Sequence, residues 1–306
     1  MLLIANPKAA GGRIGRDFAK LTSQLRTVFP KLESTLTTEI GGGTTLAEQA
    51  AKDGHRRVLS LGGDGTHSEV AAGLAAAGDN SIQLGILHGG TGGDFSRLLG
   101  RGSLLEQAQR LADRPPGLID LISVKWTDPA GTARQRIALN EVSLGMAGEV
   151  CARVNQSSKR LGGTATFLMQ TVRVLLSYRP QPVEISIDDE VLQPGLINTV
   201  LVCNGQWAGG GMHFAPTARL ADGLLDLVII SDAPTLPAVR LTPHLYNGSL
   251  MGHPLAQHRK GKQITVRTLG TPLMVEADGE VLNTTPVQVS VLPGQLQLMG
   301  VPASCL

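Results

Sequence analysis

An apolar strand that runs directly into a glycine-rich turn and a helix constrains this chain more than any other feature. The strand-like run Val58–Leu61 precedes glycines at 62, 63 and 65, with Asp64 among them and Thr66 after them. Glycine lets the backbone turn sharply and approach a ligand. Thr66 is suited to cap a helix whose first amides face an anion. The segment predicts a phosphate-binding turn, and an ordinary strand-to-helix turn is the alternative.

Asp64 carries the wrong charge to bind phosphate directly. A carboxylate beside bound phosphates is suited to hold Mg²⁺ or to accept a proton from an attacking hydroxyl. The turn therefore suggests phosphoryl-transfer chemistry.

Length and composition limit the classes of protein to consider. A chain of 306 residues is long enough for two domains. The formal net charge of +2 gives no overall field that would hold nucleic acid. Met1–Ala5 is too short for a signal peptide, and no apolar run reaches about 18 residues. We therefore expect a soluble, cytoplasmic protein. Its three cysteines are far apart, which predicts buried thiols: Cys151, Cys203 and Cys305.

The first part of the chain alternates strand-like and helical patterns up to about residue 122. This alternation predicts a parallel sheet covered by helices. The strand-like runs are Leu2–Ala5, Glu33–Thr38, Val58–Leu61 and Leu84–Leu87.

The pattern changes after Pro115 and Pro116. Short β-type runs separated by Gly and Pro predict an antiparallel second domain, interrupted by one helical pattern over Thr164–Leu176. The runs include Val183–Ile187, Leu196–Cys203, Leu224–Ile230, Ile264–Thr268 and Val287–Val291. We predict domains over 1–122 and 123–292, with a tail from about 293 to 306 that returns to the first domain.

Two further loops follow predicted strands and have similar chemistry. Asn6–Gly12 offers backbone amides and Lys8, and His88–Phe95 repeats the mixture of glycine, threonine and carboxylate. The patterns GxxxxGK[ST] and GxGxxG are absent at these positions. Loops at neighbouring strand ends of a parallel sheet form one cleft, so a nucleotide site is favoured over independent solvent-exposed turns.

The chain resembles the diacylglycerol kinase catalytic-domain superfamily, which includes bacterial soluble lipid kinases and sphingosine kinases. The resemblance covers essentially the whole chain. The motifs that carry it are Asn6-Pro7, the Gly62–Thr66 loop with Glu69-Val70, Gly90-Thr91-Gly92 with Asp94-Phe95, the segment Arg219–Asp226, and Asp278-Gly279-Glu280.

This resemblance implies an α/β N-terminal domain and a β-rich C-terminal domain. The first has a Rossmann-like parallel sheet similar to NAD kinases and phosphofructokinases, and binds ATP. The second is an antiparallel sandwich that binds lipid. The resemblance also implies an active site between the domains that transfers the γ-phosphoryl group to a lipid hydroxyl.

The resemblance also assigns the nucleotide and metal contacts. The ATP contacts that it implies are Asn6, Thr37, Gly62, Gly63, Asp64, Gly65, Thr66, Ser68 and Thr91. It places Asp64, Asp94 and Asp120 in an acidic network around catalytic Mg²⁺, although Asp120 also has the alternative of a strand-end cap. A second, structural Mg²⁺ is implied at the Asp222 side chain and the carbonyls of Arg219 and Leu224.

The resemblance makes Glu280 the general base, which accepts the proton of the lipid hydroxyl as its oxygen attacks. A glycine between two carboxylates suggests a tight turn that aims Asp278 and Glu280 into the cleft, with Asp278 orienting the base or reaching the metal. Alone, Asp278-Gly279 is typical of a hairpin turn.

Three departures from the family pattern bear on activity. Gly93 stands where the family usually has Asn, and Gly41–Gly43 stand where Gly-Asp-Ala is common. His67 and Ser68 replace an apolar residue and Asn. Together, these three departures change polar contacts and charge near the cleft.

The lipid-binding site is the part of the protein that the sequence predicts least clearly. An apolar stripe near the long helix suits either an acyl-chain pocket or core packing: Gly162, Phe167, Leu168, Met169, Val172 and Leu176. Nearby basic residues suit either anionic headgroups or a solvated face: Arg153, Lys159, Arg160, Arg173 and Arg179.

The sequence thus predicts an ATP- and Mg²⁺-dependent lipid kinase of phospholipid biosynthesis, with diacylglycerol as the leading acceptor. We expect a cytoplasmic enzyme, peripheral at the inner membrane face, with a homodimer left open. The alternatives are an NAD kinase-like phosphotransferase acting on a soluble acceptor and a non-catalytic nucleotide- or lipid-binding protein.

Overall fold

The computed structural model describes residues 1–89, 93–157, 163–232, 241–282 and 285–306. The chain forms two compact units. Unit 1 comprises Met1–Leu121, Leu220–Asp222 and Pro293–Leu306, and unit 2 comprises Ile122–Arg219 and Gly223–Leu292.

Unit 1 is built on a parallel sheet, as the alternating pattern predicts. Its first four strands are β1 (Leu2–Ala5), β2 (Glu33–Leu36), β3 (Arg57–Gly62) and β4 (Gln83–His88). The order is β4-β3-β1-β2, with β1 paired in parallel to both β2 and β3. Residues 297–298 pair in parallel with the far side of β4. The central position of β3 explains its continuous apolar run, because both of its faces are covered.

Helices connect these strands. They are α1 (Arg13–Arg16), α2 (Phe18–Arg26), α3 (Gly42–Lys52), α4 (Asp64–Ala76), α5 (Asp94–Leu99) and α6 (Leu104–Asp113). Leu25 of α2 and Leu111 of α6 belong to the same buried cluster as Leu59 and Leu61 of β3. The helices therefore bury the apolar sheet and leave its carboxyl-end turns to carry polar residues.

Unit 2 is rich in β-structure and largely antiparallel, which confirms the predicted change of architecture. Strand β5 (Gly117–Thr127) enters this unit, and β16 (Val287–Leu298) leaves it. Between them lie β6 (Ala133–Ala138), β7 (Glu141–Gly145), β8 (Gln181–Ile187), β9 (Glu190–Val191), β10 (Gly195–Cys203), β11 (Leu225–Ser231), β12 (Ala256–Gly261), β13 (Gln263–Thr268), β14 (Val275–Ala277) and β15 (Glu280–Val281).

The neighbours in the sheet of unit 2 follow the order β15-β14-β7-β10-β8-β13-β16, with β11 between β10 and β12. Alternate residues of β7, β10 and β14 bury one face in an apolar cluster that includes Val142, Val200, Val202 and Val275. The opposite face carries Leu201, Cys203 and Val228 in a second cluster. Both faces of the central strands are thus buried.

Helices α7 (Met146–Gln156) and α8 (Gly163–Ser177) follow β7, and a short helix covers Thr242–Asn247. Helix α8 matches the predicted Thr164–Leu176 to within one residue at each end. Within the described residues, every helix is too short or too polar to cross a membrane. Cys203 and Cys305 are buried as predicted, whereas Cys151 is half-buried, and all three are free thiols.

Candidate functional site

The turn after β3 brings several of the predicted nucleotide contacts together. Gly63 is extended and precedes α4, which begins at Asp64. The Asn6 side-chain amide donates to Thr66 Oγ1 at 3.1 Å. The Asn6 backbone N–H donates to the Leu61 carbonyl, and that of Thr37 donates to the Ala5 carbonyl. These contacts group Asn6, Thr37 and Thr66 at the carboxyl end of three neighbouring strands.

Gly62 is required at the start of this turn because Thr66 lies directly above it. A Cβ at position 62 would come within 2.6 Å of Thr66 Oγ1. Such a clash would push Thr66 away from Asn6. The glycine predicted to permit close ligand approach therefore also permits close packing inside the turn.

The carboxylate of Asp64 connects this turn to the next one. Its oxygens accept the backbone N–H groups of Gly93, Asp94 and Phe95 at 3.1, 3.1 and 3.2 Å. These are the first amides of α5, where a negative charge is stabilising. Asp64 thus fixes the start of α5 relative to the turn after β3.

His88 occupies the space beside Gly93. The backbone of Gly93 is left-handed, with φ +71°, and a Cβ there would lie 2.4 Å from His88 Cε1 and 2.5 Å from its Nδ1. The same Cβ would lie 2.5 Å from Ser96 Oγ. The imidazole of His88 therefore explains why this chain has glycine where the resemblance predicts asparagine. The neighbouring predicted contact, Thr91, lies outside the described residues.

His67 lies fully buried in the first turns of α4. Its Nδ1 is 2.8 Å from Ser60 Oγ, a residue of β3. The pKa of His67 is lowered from 6.5 to about 4, mainly by burial; Asp64 acts in the opposite direction, and nearby His88 contributes to the lowering. The imidazole is therefore neutral at neutral pH.

Ser68 is 1% exposed, which leaves almost none of it accessible to a ligand in this conformation. Its predicted contact with ATP remains a prediction.

The three carboxylates predicted around catalytic Mg²⁺ each contact other parts of unit 1. Asp94 Oδ1 lies 3.4 Å from Arg97 Nε. Asp120 is buried, and its Oδ1 accepts the Gly294 N–H at 2.8 Å. Within the ranges described, three His, Cys, Asp or Glu side chains nowhere form a group able to hold a metal ion. The predicted acidic network thus remains a prediction.

The predicted structural metal site lies in the turn before β11. Its residues are Arg219, Asp222 and Leu224. Gly223 between them has a left-handed backbone, with φ +70°. This geometry is that of a tight turn, and the metal assignment remains a prediction.

In unit 2, Asp278 and Gly279 form the two-residue turn of the β14–β15 hairpin. Both have positive φ, +48° and +86°. Adjacent left-handed residues match the twist of a hairpin, and Asp-Gly is a favoured pair for them. The predicted tight turn is therefore confirmed.

The predicted direction of the Asp278 side chain is wrong. Its carboxylate is buried and accepts three backbone N–H groups, from Leu139 at 2.6 Å, Asn140 at 3.0 Å and Glu141 at 2.9 Å. These bonds stabilise the negative charge inside the protein. Asp278 holds the segment before β7 and does not aim into an open cleft.

Glu280 begins β15 and is about one-third exposed. Its Oε2 lies 2.5 Å from Nη1 of Arg136, a residue of β6. Sequence reasoning missed Arg136 because the two residues are 144 positions apart and share no motif. The guanidinium orients the carboxylate that the sequence predicts to be the general base.

The predicted lipid-contacting stripe divides between exposed and packed positions. On α8, Val172 is 48% exposed and Leu176 is 65% exposed, whereas Phe167 and Met169 are half-buried. Arg153 pairs with Glu149, and Arg173 and Arg179 are exposed. Lys159, Arg160, Gly162 and the side chain of Leu168 lie outside the described part of the chain.

Comparison with known proteins assigns both halves of the chain to known families. Residues 1–124 match the diacylglycerol kinase catalytic domain family, and residues 140–300 match the family described as the YegS C-terminal NAD kinase beta sandwich-like domain. A Pseudomonas syringae protein named "Probable lipid kinase YegS-like" is 30% identical over 97% of this chain and 92% of its own length. A diacylglycerol kinase of Bacillus subtilis is 27% identical over 91% of this chain and 88% of its own length.

Solved structures of kinases are also similar to this chain over nearly its whole length. A diacylglycerol kinase from Bacillus anthracis covers 100% of this chain and 97% of its own, with a TM-score of 0.73 and 25% identity. An NAD kinase from Archaeoglobus fulgidus covers 99% of this chain and 95% of its own, with a TM-score of 0.54 and 12% identity, which shows a shared fold alone. These likenesses confirm the predicted fold class and the predicted family.

We expect acid to destabilise the protein through His67. The unfolded chain protonates this imidazole near pH 6.5, but the folded chain does so only near pH 4. Stability is thus fully present above pH 6.5 and falls as the pH drops toward 4, by roughly 3 kcal/mol in total. Urea denaturation at pH 7 and 4.5 measures this loss, which His67→Gln should abolish and the control His55→Gln should retain. An equal loss in His67→Gln would show that other groups cause it.

The contact between His88 and Gly93 predicts a coupled pair of substitutions. Gly93→Asn should destabilise the protein by about 1–3 kcal/mol because its side chain meets the imidazole. Asparagine tolerates the left-handed backbone, so His88→Ala should recover part of that loss in the double variant, while the contact with Ser96 Oγ remains. Thermal denaturation of the four proteins gives the coupling energy, and additive effects would contradict the steric explanation.

Proposed function

Since this chain belongs to the YegS-like lipid kinases, which carry a diacylglycerol kinase catalytic domain, we propose that it transfers the γ-phosphoryl group of ATP to diacylglycerol. The chain is a lipid kinase. The use of ATP, the dependence on Mg²⁺ and the choice of diacylglycerol as acceptor are what we propose. We further propose that it meets its substrate at a membrane surface.

The observation that carries this proposal is the anchoring of two turns by Asp64. Its three backbone hydrogen bonds hold the start of α5 against the turn after β3. The first amides of α4, a helix of 13 residues, adjoin this turn and are suited to phosphate oxygens. We propose that the phosphates of ATP bind here, with Asn6, Thr37, Gly62, Gly63, Gly65, Thr66, Ser68 and Thr91 as the contacting residues.

The residues present suit Mg²⁺ held mainly by the nucleotide. Magnesium bound to nucleotides usually takes only one or two protein carboxylates, and substrate phosphates and water complete its ligands. One or two of Asp64, Asp94 and Asp120 would supply those carboxylates, and the ion would offset charge on the phosphate oxygens. Asp222 with the carbonyls of Arg219 and Leu224 would hold a second, structural ion through hard oxygen ligands.

Glu280 is the proposed general base. Its carboxylate accepts the proton of the lipid hydroxyl while the hydroxyl oxygen attacks the γ-phosphorus. The bond from that phosphorus to the bridging oxygen breaks, and ADP leaves with the bonding electrons. Arg136 keeps the carboxylate oriented, and one-third exposure leaves it within reach of a substrate. Asp278 contributes by fixing the turn that precedes Glu280.

We expect transfer of label from γ-labelled ATP into the organic phase when the protein is incubated with Mg²⁺ and diacylglycerol. Glu280→Gln removes the base and keeps the size of the side chain, so labelling should fall about 10²- to 10⁴-fold. Glu190→Gln, at an exposed position of unit 2, is the matched control and should retain turnover.

Parallel reactions with sphingosine, a mixed bacterial lipid extract and NAD separate the acceptors, and omission of Mg²⁺ tests the metal. Label that enters NAD instead of lipid, or Glu280→Gln turnover equal to that of the wild type, would contradict the proposal.

A further inference from the structure

A side chain of helix α4 holds the start of helix α3. The Glu69 carboxylate accepts the backbone N–H of Gly41 with Oε1 at 3.0 Å and that of Gly43 with Oε2 at 2.9 Å. The Thr44 hydroxyl donates to the backbone carbonyl of Glu69 at 3.0 Å. Three hydrogen bonds therefore join the first turn of α3 to a single residue of α4.

The two helices lie close enough for this contact because small residues line it. A Cβ at Gly43 would lie 2.7 Å from Oε2 of Glu69 and 2.9 Å from its Cβ. Further along, a Cβ at Gly73 of α4 would lie 2.3 Å from the carbonyl oxygen of Thr44. The carboxylate reaches both amides because residue 43 has no side chain.

The turn that leads into α3 depends on this carboxylate. Glycine loses more conformational freedom on folding than any other residue, so other groups must hold the run Gly41–Gly43 in one conformation. Gly41 has a left-handed backbone, with φ +81°. The first amides of a helix carry partial positive charge, which makes a carboxylate a strong acceptor for them. We therefore expect the turn to lose its fixed position when the carboxylate is removed.

The Gly41–Gly43 turn packs against Thr37, which follows β2 and is one of the proposed ATP contacts. Thr37 is 7% exposed. A Cβ at Gly42 would lie 3.6 Å from the Cβ of Thr37. The Thr37 backbone is fixed separately, because its N–H donates to the Ala5 carbonyl. The position of the turn therefore decides how far the Thr37 side chain is covered and where its hydroxyl can point.

Helix α4 thereby anchors the helices that precede and follow it in the chain. Asp64, at its first residue, holds the start of α5. Glu69, in its second turn, holds the start of α3. Both carboxylates come from the helix whose own first amides are proposed to bind phosphate, so the site is organised from its centre outward.

We propose that Glu69 is a positioning residue for the nucleotide, which holds the Gly41–Gly43 turn so that Thr37 can contact ATP. Glu69 acts through the turn and does not itself touch the nucleotide. This inference rests on the ATP site proposed above and adds a residue to it.

The test measures ATP affinity and steady-state kinetics in the wild type, Glu69→Ala and Glu69→Gln. Ala removes both acceptor oxygens, so the Kd and KM for ATP should rise about tenfold or more. The kcat at saturating ATP should change little, because a lost binding interaction raises KM alone. Gln keeps one acceptor oxygen and should lie between Ala and the wild type. Glu39→Gln, which neutralises an exposed carboxylate of the same loop, is the matched control and should bind ATP like the wild type.

A double-variant cycle with Thr37→Val separates positioning from a general loss of stability. If Glu69 acts through Thr37, Glu69→Ala should weaken ATP binding much less in the Thr37→Val background than in the wild type. An equal loss in both backgrounds would overturn the inference, and so would a fall in kcat with an unchanged KM.

A second readout does not depend on nucleotide. Hydrogen–deuterium exchange of residues 38–46 should be faster in Glu69→Ala than in the wild type or in Glu39→Gln. Unchanged exchange in Glu69→Ala would also overturn the inference. Failure of the wild type to bind ATP would instead contradict the proposed function, whichever result the exchange measurement gives.

Discussion

An aspartate carboxylate that accepts a cluster of backbone N–H groups from a neighbouring segment is the interaction on which both units depend. Asp64 does this in unit 1 for the start of α5, and Asp278 does it in unit 2 for residues 139–141. Hydrogen bonds to a charged acceptor contribute about 1.5–3 kcal/mol each, and loss of the acceptor leaves several donors unsatisfied. Each carboxylate thus fixes a turn that adjoins a predicted functional residue.

This arrangement changes the chemistry assigned to acidic residues. Motif reasoning treats Asp64 and Asp278 as groups that act on substrate or metal, yet three amides already engage each carboxylate. In the proposed reaction, their contribution is then largely the placement of other groups: the amides proposed to bind phosphate in unit 1 and the proposed base Glu280 in unit 2. Preorganised backbone of this kind stabilises developing charge without rearrangement during the reaction.

The predictability of the fold and of the site differs for a physical reason. Local apolar runs predicted β1, β3 and β4 closely, since a strand covered on both faces must be apolar throughout. The Glu33–Thr38 run ended earlier, at Leu36, where β2 leaves its partner β1. The direction of Asp278 could not be read from its motif, because its partners lie about 138 positions away. The Arg136–Glu280 pair likewise joins two residues that lie 144 positions apart in the sequence. At Gly93 the chain departs from the family's asparagine, which suggested that a polar contact is missing. The imidazole of His88, at the start of the same loop, accounts for this departure because it fills the space beside Gly93.

The anchoring role of Asp64 is the central claim, and titration of ATP into the wild type and Asp64→Asn, with Mg²⁺ and with EDTA, tests it most directly. If Asp64 organises the phosphate-binding turn, the substitution weakens binding about tenfold or more in both conditions, because the loop is released whether or not metal is present. If affinity falls only when Mg²⁺ is present, Asp64 acts as a metal ligand alone, and the anchoring account is contradicted.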